Sequence, residues 1–202
     1  MQERDEKSLI ALAKEGNVEA YEMLISQYEK KIYSLCLHLL KDAEEAYDAA
    51  QEVCIKVWKQ IHLFEGQAKI STWIYRIATN QCLDILRKNK NRRQDISLFQ
   101  ESQDGEDEWV IEKEHKEIGV AEQIEKKELQ EIVHLGIQEL QEDYQVILVL
   151  RDIEGYSYEE IAEILYVSLG TVKSRLSRAR QALKKVFSQK KEPFWSFFRH
   201  IK

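Results

Sequence analysis

Apolar residues recur at three- and four-residue spacing along nearly the whole chain, and the rhythm fails only once, between Gln94 and Gly119. Since 3.6 residues complete a helical turn, that spacing puts the apolar side chains on one face of successive helices. It predicts two helical units with a connection between them. One proline and seven glycines in 202 residues are few turn formers, which fits helices joined by short loops.

In the first unit, residues 1–93, Asn17 is placed to cap a helix whose stripe is Leu24, Ile25, Tyr28, Ile32, Leu35 and Leu39. Asp42 and Glu45 have capping-box spacing and open a helix burying Ala46, Ala50, Val53, Val57, Ile61 and Phe64. Asp48, Gln51, Glu52, Lys56 and Lys59 fall on its other side. A loop through Gly66 ends at Ser71, read as the next cap. The helix after it turns Ile74, Ile77, Ala78, Ile85 and Leu86 inward and Thr72, Arg76, Thr79, Asn80, Arg87 and Lys90 outward.

Residues 94–119 read as an acidic linker, where Asp104-Gly105 is a turn signal. In the second unit, residues 120–190, Leu129, Ile132, Val133, Gly136 and Leu140 mark one helix. The run "DYQVILVLRDI" is so apolar that it belongs at the centre of its domain. Ser157 and Glu160 form a capping box for a short helix, and Ser168 caps the last one. Two short helices joined by a tight turn, the second basic, make a helix-turn-helix. The expected fold is therefore all-α: two small helical domains joined by an acidic linker, the second a four-helix domain with a helix-turn-helix. Residues 191–202 form a tail with four aromatics, Phe194, Trp195, Phe197 and Phe198. Its own domain, a partner or a membrane surface each fit such a patch.

The formal net charge of −6 hides a segregation of signs. Acids crowd Glu101–Glu128, whereas Gly170–Lys185 holds none. A merely solvated helix interleaves signs for i,i+4 pairing, so this acid-free helix calls for a polyanion. Val172, Leu176, Ala179 and Leu183 face inward, leaving Thr171, Lys173, Ser174, Arg175, Ser177, Arg178 and Arg180 outside. Arginine takes a guanine edge in two bonds, hydroxyls read either base, and lysine meets phosphate as a point charge, so the set suits a major groove.

Other classes find no support. No run of about 18 apolar residues marks a membrane span, and "MQERDEKSLI" is unlike a secretory leader. Cys36, Cys54 and Cys82 read as buried thiols of a reducing cytoplasm. The five histidines lack metal-ligand spacing, and Asp48 with Glu52 has no nucleophile, phosphate loop or histidine beside it. No metal, no cofactor, no small-molecule substrate and no catalytic residue is expected.

"YSYEEIAEILYVSLGTVKSRLSRARQAL" resembles the promoter-reading domain of bacterial sigma factors of the extracytoplasmic-function subgroup. "AYDAAQEVCIKVWKQIHLF" followed by "STWIYRIATNQCLDILRK" resembles that subgroup's amino-terminal domain. The resemblance implies a cytoplasmic, non-enzymatic subunit that takes RNA polymerase core to promoters, and a sequestering anti-sigma factor as a further partner. Asp48, Gln51 and Glu52, with Trp58 near the end of their helix, match the face that docks on a coiled coil of the largest polymerase subunit. Trp73, Arg76 and Asn80 match the part that captures the melted minus-ten strand, and the basic cluster with Arg87 would track phosphates. Thr171, Lys173, Ser174, Arg175 and Arg178 lie on the helix matching the reader of the minus-thirty-five duplex. The linker's acidity is expected to suit the polymerase's positive channel and to keep the free protein off DNA. The rival readings are an autonomous helix-turn-helix regulator and a protein-binding adaptor.

Four positions depart from the pattern. "LQEDYQ" lacks the usual proline, Tyr166 stands at the usual glycine of the tight turn, Cys54 replaces a phenylalanine and Tyr47 an acid. If the turn needs positive φ, Tyr166 is strained.

Overall fold

A helix that the periodicity did not single out, α1 (Glu6–Lys14), packs its buried Leu9 and Ala13 beside α2 (Val18–Ile25) in the computed structural model, which describes residues 6–97 and 132–189. Asn17 caps α2 as its side chain predicts, accepting from the Ala20 N–H at 2.9 Å. The single helix expected from Asn17 to Leu39 is two. After α2 the chain turns, and α3 starts afresh (Glu29–Leu40). Ser26 Oγ and Gln27 Nε2 both donate back to the Met23 carbonyl, at 3.1 and 3.2 Å, and such local bonds offer the backbone an alternative to continuing the helix.

Asp42 opens α4 (Ala43–Gln60) by accepting from the Glu45 N–H at 2.7 Å. Glu45 does not return the bond of a full capping box; its carboxylate instead accepts from Asn89 at 2.9 and 3.2 Å. Ala46, Ala50, Val53, Val57, Ile61 and Phe64 are all buried, as their spacing predicts. After a 3₁₀ turn (Ile61–Leu63), α5 (Ile70–Ser97) begins a residue ahead of Ser71, which therefore sits in the first turn and is not the cap. Its backbone continues past Arg93.

Thr72 and Thr79, expected outside, are buried. The reason is that α5 is flanked twice, by α3 and α4 on one side and by the second unit on the other. A helix covered from two directions buries a wider arc than the single stripe of an amphipathic surface helix. Thr79 Oγ1 has no hydrogen-bond partner there. Cys36 and Cys82 are buried free thiols and Cys54 is half-buried.

The second unit comprises helical residues 132–138 (α6), α7 (Glu142–Leu148), α8 (Tyr158–Leu165) and α9 (Leu169–Gln189). Gln145 through Leu150 are all buried, so the apolar run is central as expected. α7 runs on into a π-helical turn, Val149–Ile153, closed by the Glu154 N–H on the Val149 carbonyl at 2.9 Å. Where proline is missing, Gln145 Nε2 donates to the carbonyls of Gln138 and Leu140 at 3.1 and 2.8 Å. These are the orphan acceptors at the end of α6, and an amide side chain satisfies them. Residues 98–131 and 190–202, with most of the acidic linker, Trp109 and the aromatic tail, lie outside the described residues. Among the described residues there is no strand, and no helix is long and apolar enough to cross a membrane.

Candidate nucleic-acid interface

The helix-turn-helix is built by two caps and one strained turn. Ser157 Oγ accepts from the Glu160 N–H at 3.1 Å while Glu160 accepts from the Ser157 N–H at 2.9 Å, which starts α8. Those bonds also hold the Glu160 carboxyl below its ordinary pKa. α8 ends on Tyr166, whose φ of 54° and ψ of 49° are left-handed. The turn does need positive φ, and a non-glycine residue there costs roughly 1–2 kcal/mol. Ser168 then caps α9, accepting from the Thr171 N–H at 3.1 Å.

Val172, Leu176 and Ala179 are buried against the rest of the unit, which turns the basic side of α9 outward. Lys173, Ser174 and Arg178 are exposed, whereas Thr171 and Arg175 are half-buried. Thr171 Oγ1 shares a hydrogen bond with Ser168 Oγ at 2.8 Å, and Ser174 Oγ donates to the Thr171 carbonyl at 3.1 Å, so both hydroxyls are oriented by their own helix. Arg175 faces the Asp143 carboxylate at 3.3 Å. Arg180 forks onto Asp152 at 3.2 and 2.5 Å, a pairing that raises its pKa and anchors α9 to the π-turn.

In the first unit, Trp73, Arg76, Asn80 and Arg87 fall within about 60° of arc at 100° per residue, a single stripe of α5. Trp73 is half-buried with its ring 5.6 Å from that of Phe64, and Lys14 Nζ holds the Phe64 carbonyl at 2.9 Å. The loop through Gly66, at φ +77°, is thereby tied down at its first residue. Asn80 and Arg87 are exposed. Arg76, however, donates from Nε and Nη2 to the Glu163 carbonyl of α8, at 3.1 and 2.7 Å, and lies 5.1 Å over the Tyr166 ring. Arg87 approaches Asp143 of α7 at 3.8 Å.

A second surface lies on α4. Asp48, Gln51, Glu52 and Trp58 fall within about 120° of arc at 100° per residue. Asp48 and Gln51 are exposed and Glu52 is half-buried. Trp58 sits at the rim, half-buried, with its ring 4.9 Å from that of Tyr21. Sequence reading missed the apolar members of this face. Tyr47 (58% exposed) and Ile55 (45%) flank Gln51 at four-residue spacing, and the signal was their place on the polar side of an otherwise well-segregated helix.

The contact between units has a polar centre with no sequence signal. His38 Nδ1 meets Glu154 Oε1 at 2.6 Å, and Ser34 Oγ donates to the same oxygen at 3.3 Å. His134 stacks on His38 with centroids 5.5 Å apart and touches Lys41 Nζ through Nδ1. Tyr75 and Tyr156 pack at 5.4 Å, and burial pushes both phenols up. These pairs join residues roughly a hundred positions apart, where local periodicity carries no information.

Residues 24–92 match the family description "Sigma-70 region 2" and residues 130–183 match "Sigma-70, region 4". The chain is 36% identical over 187 residues to the RNA polymerase sigma-H factor of Pseudomonas aeruginosa, covering 91% of this chain and 94% of that one. It is 36% identical over 181 residues to the ECF RNA polymerase sigma factor SigW of Bacillus subtilis, covering 89% and 95%. It is 33% identical over 178 residues to the ECF RNA polymerase sigma-E factor of Escherichia coli K12, covering 87% and 90%. Two solved structures share the fold, each with a TM-score of 0.60 and 20% identity. One is CnrH in complex with the cytosolic domain of CnrY, covering 92% of this chain and 99% of that one. The other is the sigma factor RpoE in complex with the anti-sigma factor NepR from Bartonella quintana, covering 85% and 98%.

Proposed function

The chain belongs to the extracytoplasmic-function (ECF) sigma factors, and from that premise we propose how its surfaces divide the work of directing RNA polymerase core to promoters and helping transcription start. The α4 face with Asp48, Gln51, Glu52 and Trp58 docks on the polymerase, with Tyr47 and Ile55 as its apolar part. The α5 stripe with Trp73, Arg76, Asn80 and Arg87 holds the melted minus-ten strand. Unstacked bases need replacement stacking and polar edges, and an aromatic ring beside an amide supplies both. On α9, Lys173 and Arg178 meet phosphate while Arg175, Thr171 and Ser174 lie nearest the base edges, since phosphate contacts position and base contacts specify.

The polymerase performs the chemistry and this subunit performs none. It works in the cytoplasm, where core and promoter are. An anti-sigma factor binds it; two structural neighbours are complexes of a sigma factor with such a partner or with a partner's cytosolic domain. The observation that carries the reading is one chain joining an acid-free helix, capped by Ser168 and turned outward by Val172, Leu176 and Ala179, to an α4 face of exposed acid and amide groups. A DNA-binding regulator acting alone has no use for the second surface. The test is run-off transcription with purified core enzyme. Initiation should depend on the added chain, and initiation indifferent to it would refute the reading.

A further inference from the structure

The arginines assigned to DNA are the ones that hold the two units together. Arg76 of α5 gives both its Nε and Nη2 protons to the Glu163 carbonyl on the helix-turn-helix and covers the Tyr166 ring. Arg87 of α5 and Arg175 of α9 approach the two oxygens of one carboxylate, Asp143, at 3.8 and 3.3 Å. A guanidinium fork accepts carboxylate and phosphate with the same geometry, so a carboxylate set between two arginines stands where a phosphate would.

Tyr166 gives the arrangement its second point. Glycine would make the left-handed turn without strain, yet the chain carries a tyrosine whose residue is 82% exposed. What the side chain adds is the ring under Arg76, a contact between the units and not within one. The buried His38–Glu154 pair and the Tyr75–Tyr156 contact fix the register in which these arginines meet their acceptors.

We propose that this arrangement is a DNA-masked closed form, in which Asp143 and the Glu163–Tyr166 turn occupy the DNA-binding arginines of both units at once, so that closure and promoter binding exclude each other. The inference rests on the assignment of Arg76, Arg87 and Arg175 to DNA. Opening needs no break in either core. Residues 98–131 connect the units, and at roughly 3.3–3.6 Å per extended residue their covalent reach is on the order of 100 Å. Polymerase docking on α4 leaves these contacts untouched, so closure can persist until promoter DNA competes for the arginines.

The experiment uses the free full-length chain with Asp143→Asn and Tyr166→Gly, singly and together. Small-angle scattering reads separation of the units. Fluorescence anisotropy reads binding to an arbitrary-sequence duplex and to a thymine-only single strand. Since only the open fraction binds, removing the latch should raise both apparent affinities by about five- to tenfold in the double variant, together with the radius of gyration. Glu15→Gln, which deletes one exposed acid outside the contact, should change neither readout. An unchanged radius of gyration overturns the proposal, and so does a gain in affinity no larger than that of Glu15→Gln. Neither readout involves polymerase, so failure here is distinct from failure of the run-off assay.

Discussion

Gly136 of α6 lies so close to Phe187 of α9 that a Cβ on the glycine would stand 2.2 Å from the ring carbon Cε1 and 3.1 Å from Leu183 Cδ1. The close approach lets the first helix of the second unit lie directly on the long basic helix. Gly136→Ala should therefore destabilise the chain. Overpacking costs about 1–3 kcal/mol, against which alanine recovers up to about 1 kcal/mol of helix propensity. Urea unfolding checks this, and a midpoint raised by the alanine would show that the ring yields freely.

Stability should climb with pH between about 7 and 10.5 through Lys41. Its ammonium is desolvated where α3 ends, on His134, and burial lowers its pKa to about 7 from 10.5. Across that window the unfolded chain holds the proton more firmly, so folding is favoured as pH rises; below about 7 this group adds no further slope. Lys41→Met should flatten the rise in urea midpoint seen between about pH 7 and 9. Equal slopes in both proteins would exclude Lys41 as the source.

Arg175→Ala and Lys173→Ala should fail in different ways. If Arg175 reads a base, its loss costs about 1–3 kcal/mol of discrimination at the minus-thirty-five element and relaxes specificity there. Loss of Lys173 should weaken all sequences alike and lower the salt slope by about one. Competition binding by the assembled polymerase on matched and mutated promoters separates the two.

Ile55→Glu should reduce co-purification with polymerase core by about tenfold or more, because an apolar centre carries most of a docking face. The side chain is 45% exposed, so thermal stability should stay within about 0.5 kcal/mol. Retained binding with unchanged folding would move the docking surface off α4.

Ser157→Ala should cost about 1 kcal/mol, since it removes the acceptor for the Glu160 N–H and half of a reciprocal cap. Hydrogen exchange should quicken first at the amino end of α8, and uniform exchange along the helix would argue against a local capping effect.

Much of the fold was legible because its signals are local. Asn17, Asp42, Ser157 and Ser168 each cap the helix their side chains announce, and the buried stripe of α4 is the one its spacing requires. Where reading failed, a neighbour intervened. Thr72 and Thr79 look like surface residues on an isolated α5 and are buried because a second unit covers them. The break at Ser26 depended on side-chain bonds to one carbonyl, which periodicity does not register.

The amino-acid order by itself determined the helices, their caps, the strained turn at Tyr166 and the family, since each depends on neighbours within a few positions or on motifs in sequence. Only the packing of distant helices decided that Asp143 would sit between Arg87 and Arg175, that Glu154 would find His38, and that Arg76 would cover Tyr166. Periodicity states which face of a helix avoids water. Which polar group it meets across a hundred residues is settled by how the apolar faces fit together.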